Sequence, residues 1–279
     1  MPITDFIIIG SIKCGTTSLY LYLNEHPAIC MSRRKETNYF IEEFNFSKGD
    51  KWYAHQFKEK DKLCGEGSPL YSAFPIYRGV PEKIKKYSPQ CKIIYVVRDP
   101  IERYVSHYFL AWKGYVEKRE FSDVTQDFTD SNEYLIMGKY YFQLEQYLKF
   151  FDMSQILVVK SDDLKYRRKE SLSRIFSFLG VKEDFYSEKF DFELNREEDN
   201  LRQKKPRKIV RMIQNSIAWN IIPNRIQEGF KKRFYPQGKS DICKPVLTTQ
   251  DKTALREYYS DDIMKLQNLT KDDFSGWLS

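Results

Sequence analysis

Hydrophobic and polar positions along this chain alternate between two textures. Short runs rich in apolar residues, at 5–9, 27–31, 62–66, 91–97 and 155–160, predict strands with no solvent-facing side. Between and after them, 16–25, 79–87, 100–112, 139–151, 168–179, 204–217 and 250–268 carry apolar residues at helical spacing. Strands alternating with helices predict an α/β fold, a central parallel sheet flanked by helices on both faces. In such sheets a ligand crevice lies beyond the C-terminal ends of the strands. The polar, irregular stretches 113–138 and 219–249 are long for a compact domain, where such loops serve as lids or binding loops or else are disordered. There is no internal repeat or low-complexity segment, so residues 1–279 are expected to form a single domain.

The order of residues at the first strand adds chemistry to this pattern. Phe6-Ile7-Ile8-Ile9 runs into Gly10-Ser11-Ile12-Lys13-Cys14-Gly15-Thr16-Thr17-Ser18, and the helical Leu19-Tyr20-Leu21-Tyr22-Leu23 follows at once. A strand, a glycine-bounded loop and a helix start with free amide N–H groups beside Lys and hydroxyls make an anion site, above all for phosphate. The loop is close to a Walker A motif and differs from it. Walker A places lysine directly after the second glycine, followed by a magnesium-binding hydroxyl. Here Lys13 precedes Gly15 by two residues and Thr16 stands where that lysine would be.

A second strand-to-helix unit lies about 80 residues further on, in Cys91-Lys92-Ile93-Ile94-Tyr95-Val96-Val97-Arg98-Asp99-Pro100, with Ser106 eight residues after Arg98. Pro100 suits the first position of a helix. Together the two segments resemble the sulfotransferases that use 3′-phosphoadenosine-5′-phosphosulfate (PAPS). The resemblance implies a P-loop-like sulfotransferase fold and a 5′-phosphosulfate loop formed by Ser11, Lys13, Cys14, Gly15, Thr16, Thr17 and Ser18. It also implies a 3′-phosphate site at Arg98 and Ser106, with PAP, adenosine 3′,5′-bisphosphate, as product and no metal. The physics agrees, since Arg offers a planar donor fork to phosphate and Ser a neutral donor. Lys13 would stabilise the charge that develops on the leaving phosphate oxygen.

The third constellation is Arg33-Arg34-Lys35-Glu36-Thr37-Asn38-Tyr39-Phe40. Taken alone, a carboxylate among three cations is a solvated surface patch as readily as a site. In the heparan sulfate-type branch of the family, a glutamate followed by two residues and an aromatic pair is the catalytic base, and Glu36 with Tyr39-Phe40 fits that pattern. The chemistry requires such a group, because an acceptor hydroxyl must lose its proton. His26, His55 and His107 are the competing bases, as in the small-molecule branch. Glu66-Gly67-Ser68-Pro69-Leu70-Tyr71 resembles the acceptor-side segment, which implies Lys35, Glu66, Ser68 and Tyr71 as substrate-binding residues. Glucosaminyl 3-O-sulfotransferases differ here, with lysine in place of Gly67 and histidine in place of Asn38. In the C-terminal half the order of elements is similar but the motifs are less specific. Arg202 to Arg211 carries six basic residues and no acid, a solvated helix face or a strip for the cofactor's phosphates or an anionic glycan; Arg202 is assigned to the cofactor on that basis.

Composition narrows the partners. Hydrophobic content of 41% and aromatic content of 16% exclude disorder, and a net charge of +7 favours anionic ligands without requiring a nucleic acid polymer. No apolar run reaches the ~18 residues of a membrane span, and no basic-then-apolar leader opens the chain. The five cysteines, odd in number and without a Cys-x-x-Cys pair, suit reduced, buried thiols. A cytoplasmic protein without stable membrane insertion is expected from these signals. The expected reaction moves a sulfuryl group to a hydroxyl, or an amine, of a carbohydrate; a lipid, small metabolite or tyrosyl peptide is the alternative acceptor. A P-loop phosphotransferase would need magnesium and a Walker lysine, against which Thr16 counts. A non-catalytic polyanion-binding module is favoured by the charge but not by Glu36.

Overall fold

The computed structural model describes residues 4–114, 116–192 and 243–278. Five parallel strands form one sheet: β1 (Phe6–Gly10), β2 (Ile29–Met31), β3 (Leu63–Gly67), β4 (Lys92–Val97) and β5 (Ile156–Lys160), in the order β2-β3-β1-β4-β5. Every pairing is parallel, with Phe6 opposite Gly65 on one side and Lys92 on the other. All five residues of β1 and the last five of β4 are buried, so successive side chains are covered on both faces, as the apolar runs predict. Each fully buried isoleucine or valine there stabilises the fold by about 2 kcal/mol relative to exposure.

The helices are α1 (Thr16–Leu23), α2 (Gly49–Ala54), α3 (Val80–Tyr87), α4 (Pro100–Lys113), α5 (Phe121–Gln126), α6 (Glu133–Ile136), α7 (Tyr140–Leu148), α8 (Ser161–Tyr166), α9 (Arg168–Leu179) and α10 (Thr249–Thr270). Each expected strand and helix within the described residues is present, with ends shifted by a few residues. The stretch 113–138 is not wholly irregular, since α5 and α6 lie in it. Both are too short to show helical periodicity in sequence. The helix expected at 204–217, and most of 219–249, lie outside the described residues. No described helix is long and apolar enough to cross a membrane.

Local chemistry explains where the site-forming helices start. Asp99 caps α4, its carboxylate accepting from the amides of Ile101 at 2.8 Å and Glu102 at 3.1 Å, with Pro100 at the first helical position. A capping box between Thr248 and Asp251 opens α10. α10 packs along α7 and α4, and its Asp262 carboxylate accepts from the amides of Tyr141 and Phe142, both at 2.9 Å. The first turn of α7 is thereby capped from a distant part of the chain.

Candidate active site

The loop from β1 to α1 turns sharply because of its backbone. Gly10 has φ +157°, and a Cβ there would lie 2.0 Å from Ser72 Oγ. Lys13 (φ +66°) and Gly15 (φ +88°) are both left-handed, so the chain doubles back and presents the start of α1 to the strand ends. Gly15, as N-cap, offers no side-chain oxygen to the first-turn amides of α1. Those amides lack intrahelical acceptors and remain suited to an anion.

This loop lines one wall of a cleft of about 810 Å³. Lys13, Cys14, Gly15, Thr16, Thr17 and Ser18 all line it, and so do Arg98 and Ser106 from β4–α4 and Lys35 and Glu36 from the segment after β2. Residues more than 90 positions apart in sequence therefore share one cavity at the strands' C-terminal ends, where an open parallel sheet places its ligands. Arg98 is oriented by Glu102, whose Oε2 accepts from Nε at 3.0 Å and Nη2 at 2.6 Å. The Tyr140 hydroxyl donates to the Arg98 carbonyl at 2.7 Å, fixing the backbone behind it. Glu36 is half-exposed and its Oε1 accepts from Lys35 Nζ at 2.7 Å.

Each histidine is placed away from the cleft. His26 is buried between Phe176 and Phe185. His55 is exposed at the end of α2. His107 is buried on α4, and burial, then the positive charges of Arg103 and Lys13, lower its pKa to about 3. Of Glu36 and the three histidines, Glu36 is the general-base candidate that lines the cavity.

Four expected site residues sit elsewhere than expected. Ser11 is buried, its hydroxyl donating to the Met137 carbonyl at 3.4 Å, so its side chain serves the loop's anchorage and not the cleft. Glu66, Ser68 and Tyr71 are buried behind the cleft wall and bonded to one another, which corrects their assignment to the acceptor surface. Their neighbours Pro69 and Leu70 line the cavity instead. Arg202 lies outside the described residues. Sequence reasoning missed Glu102, although its i,i+4 relation to Arg98 at a helix start was a readable signal. It also missed Ser161, Lys165 and Arg168, which bring α8 and α9 to the cleft. These follow the edge strand β5, and only the strand order brings them beside the β1 loop.

A model of the sulfotransferase domain matches residues 3–269. Heparan sulfate glucosamine 3-O-sulfotransferase 5 of Homo sapiens is 28% identical over 275 residues, covering 95% of this chain and 71% of that protein. Bifunctional heparan sulfate N-deacetylase/N-sulfotransferase 4 of Mus musculus is 26% identical over 289 residues, covering 95% of this chain and 29% of that protein. Among solved structures, a sulfotransferase from Alicyclobacillus acidocaldarius superposes with a TM-score of 0.71 at 20% identity, over 99% of both chains, and shares the fold. With a phosphate-type loop, an arginine–serine wall and a carboxylate facing one cleft, and a domain match along almost its whole length, the chain belongs to the sulfotransferase domain family and is a sulfotransferase.

Proposed function

We propose that this sulfotransferase takes its sulfuryl group from PAPS and transfers it to a hydroxyl, or an amine, of a heparan sulfate-type carbohydrate, with Glu36 as general base. The observation that carries this reading is the convergence of the β1–α1 loop, Arg98, Ser106 and Glu36 on one cavity. The named activities of the relatives on heparan sulfate support the acceptor class.

The cradle fits a nucleotide carrying phosphates at two positions. The amides at the start of α1, with Thr16, Thr17 and Ser18, suit the 5′ end, and the Arg98 guanidinium with the Ser106 hydroxyl suits a 3′-phosphate. When bound, PAPS supplies an electrophilic sulfur with a phosphate leaving group. Lys13, at the loop, stabilises negative charge that appears on the leaving oxygen. Glu36 accepts the proton of the acceptor hydroxyl as its oxygen bonds to sulfur. Lys35 holds the Glu36 carboxylate at the cleft edge before the acceptor arrives.

Calorimetric titration of PAP against ATP with magnesium tests the donor. PAP is expected to bind without metal, and Arg98→Ala to weaken it about 10- to 100-fold, the worth of a charged hydrogen bond to phosphate. Preference for ATP with magnesium would overturn the assignment.

A further inference from the structure

The proposed sulfuryl transfer by Glu36 and Lys13 gives the buried carboxylate of Glu66 no task. Glu66, on β3, is wholly inaccessible, and four hydroxyls converge on its carboxylate. Tyr53 and Tyr71 donate to Oε1 at 2.7 and 3.1 Å, while Ser68 donates to Oε2 at 3.0 Å and Thr37 donates to the same oxygen. Burial pushes the carboxyl above the ordinary range, and the four donors pull it back. A carboxylate only accepts, so each hydroxyl directs its single proton inward and leaves its lone pairs for other donors.

Three of those oxygens accept from three consecutive backbone amides. The Asn38 amide donates to Ser68 Oγ at 3.1 Å, the Tyr39 amide to Thr37 Oγ1 at 3.2 Å and the Phe40 amide to Tyr71 Oη at 3.2 Å. These amides follow Glu36-Thr37 directly. On the other side of Glu36, the Lys35 carbonyl accepts from the Gly67 amide at 3.3 Å. Asn38 has φ +46°, a conformation that a residue with a side chain rarely holds without support.

We propose that Glu66 is a positioning residue for the general base: its carboxylate sets the direction of the Thr37, Ser68 and Tyr71 hydroxyls, and these clamp the 37–40 backbone so that Glu36 is held at the cleft. The proposal rests on the reading of Glu36 as the base. Glu66 touches no substrate and acts through the segment it orders. Its charge is the working feature, not its bulk. Glu66→Gln keeps the volume but puts an NH2 group where hydroxyls now donate, so those hydroxyls must turn their protons away from it, and the bonds they accept from the 38–40 amides are weakened.

The test compares Glu66→Gln, Thr37→Val and Tyr71→Phe with the wild type by amide hydrogen exchange of peptides spanning 34–41. Calorimetric binding of PAP, and turnover of PAPS with heparan sulfate as the acceptor probe, are measured alongside. Exchange at 38–40 is expected to rise about tenfold or more in Glu66→Gln, and at Phe40 in Tyr71→Phe, as opening of the clamp becomes easier. Affinity for PAP should hold, because the phosphate loop lies on β1–α1. A misplaced base should lower kcat about 10- to 100-fold with KM for PAPS little changed. On a Glu36→Gln background, Glu66→Gln should cost no further turnover, since the two act as one unit.

Unchanged exchange at 38–40 in Glu66→Gln overturns the clamp, and that readout needs no acceptor. Exchange rising across the whole sheet together with lost PAP binding overturns it too, in favour of a general structural role. Undiminished turnover in Glu36→Gln is the distinct failure of the base assignment, and it is read without any Glu66 variant.

Discussion

The Lys35–Glu36 ion pair, at 2.7 Å with the glutamate side chain 50% exposed, contributes little to stability in water. Glu36→Gln is therefore expected to fold normally and to bind PAP as the wild type does. Its turnover should fall by about 100-fold or more, the usual worth of general-base catalysis. Retained turnover on an identified acceptor would remove the residue from that role. Cys14, although it lies in the phosphate loop, is the buried thiol expected of these cysteines. It is fully buried against the Tyr140 hydroxyl, at 3.7 Å, and burial pushes its thiol pKa up, which disfavours the reactive thiolate. Iodoacetamide should therefore modify Cys14 more slowly than the exposed Cys243, with PAP slowing it further. Peptide mass spectrometry reads both rates, and equal rates would contradict this packing. The aromatic pair Tyr39-Phe40 has a similar lesson. It was legible as a motif, yet both rings are buried, with Tyr39 stacked on Tyr53 at 4.4 Å. The pair anchors the segment that bears Glu36.

At the scale of elements, strand ends and helix starts carry the site. Gly10→Ala would drive a methyl group into Ser72 and is expected to cost about 2–3 kcal/mol of stability, as overpacking of a rigid core does. Chemical denaturation measures this, and a change below about 0.5 kcal/mol would show that the loop can relax. The α10–α7 contact has a pH signature. Burial raises the Asp262 pKa from 3.8 to about 6, and the two amides it caps only partly offset this. A carboxyl raised in the folded state is protonated more readily there than when unfolded. Its favourable contribution is thus complete below about pH 4 and is lost as pH rises through 6. Wild type minus Asp262→Asn should accordingly lose about 2–3 kcal/mol of relative stability between pH 4 and pH 7. A flat difference across that window would mean that water reaches the carboxylate.

For the whole molecule, a charge of +7 and a cleft lined by Lys13, Lys35, Arg98, Lys165 and Arg168 favour polyanionic ligands. PAP affinity is expected to weaken several-fold when salt rises from about 0.05 to about 0.5 M, because the Debye length shrinks about threefold. Titration at the two ionic strengths checks it, and salt-independent binding would place the contacts in neutral hydrogen bonds. The alternation of apolar runs with helical periods determined the α/β class, the five strands and the order of the principal described helices, since burial on both faces and the 3.6-residue period are local signals. The glycines, the lysine and the hydroxyls after β1 likewise marked, within nine consecutive residues, a candidate anion loop that lines the cleft. What those patterns left open was decided by strand order. Placing β1 between β3 and β4, with β5 beyond, brings Glu36, Arg98, Ser106 and Ser161 to one cavity. It also draws Glu66, Ser68 and Tyr71 inward, although in sequence they look as polar and as available as Glu36. Inward and outward differ by which face of the wall a side chain takes, and only the packed sheet sets that, because it removes one face from water and leaves the other in the cleft.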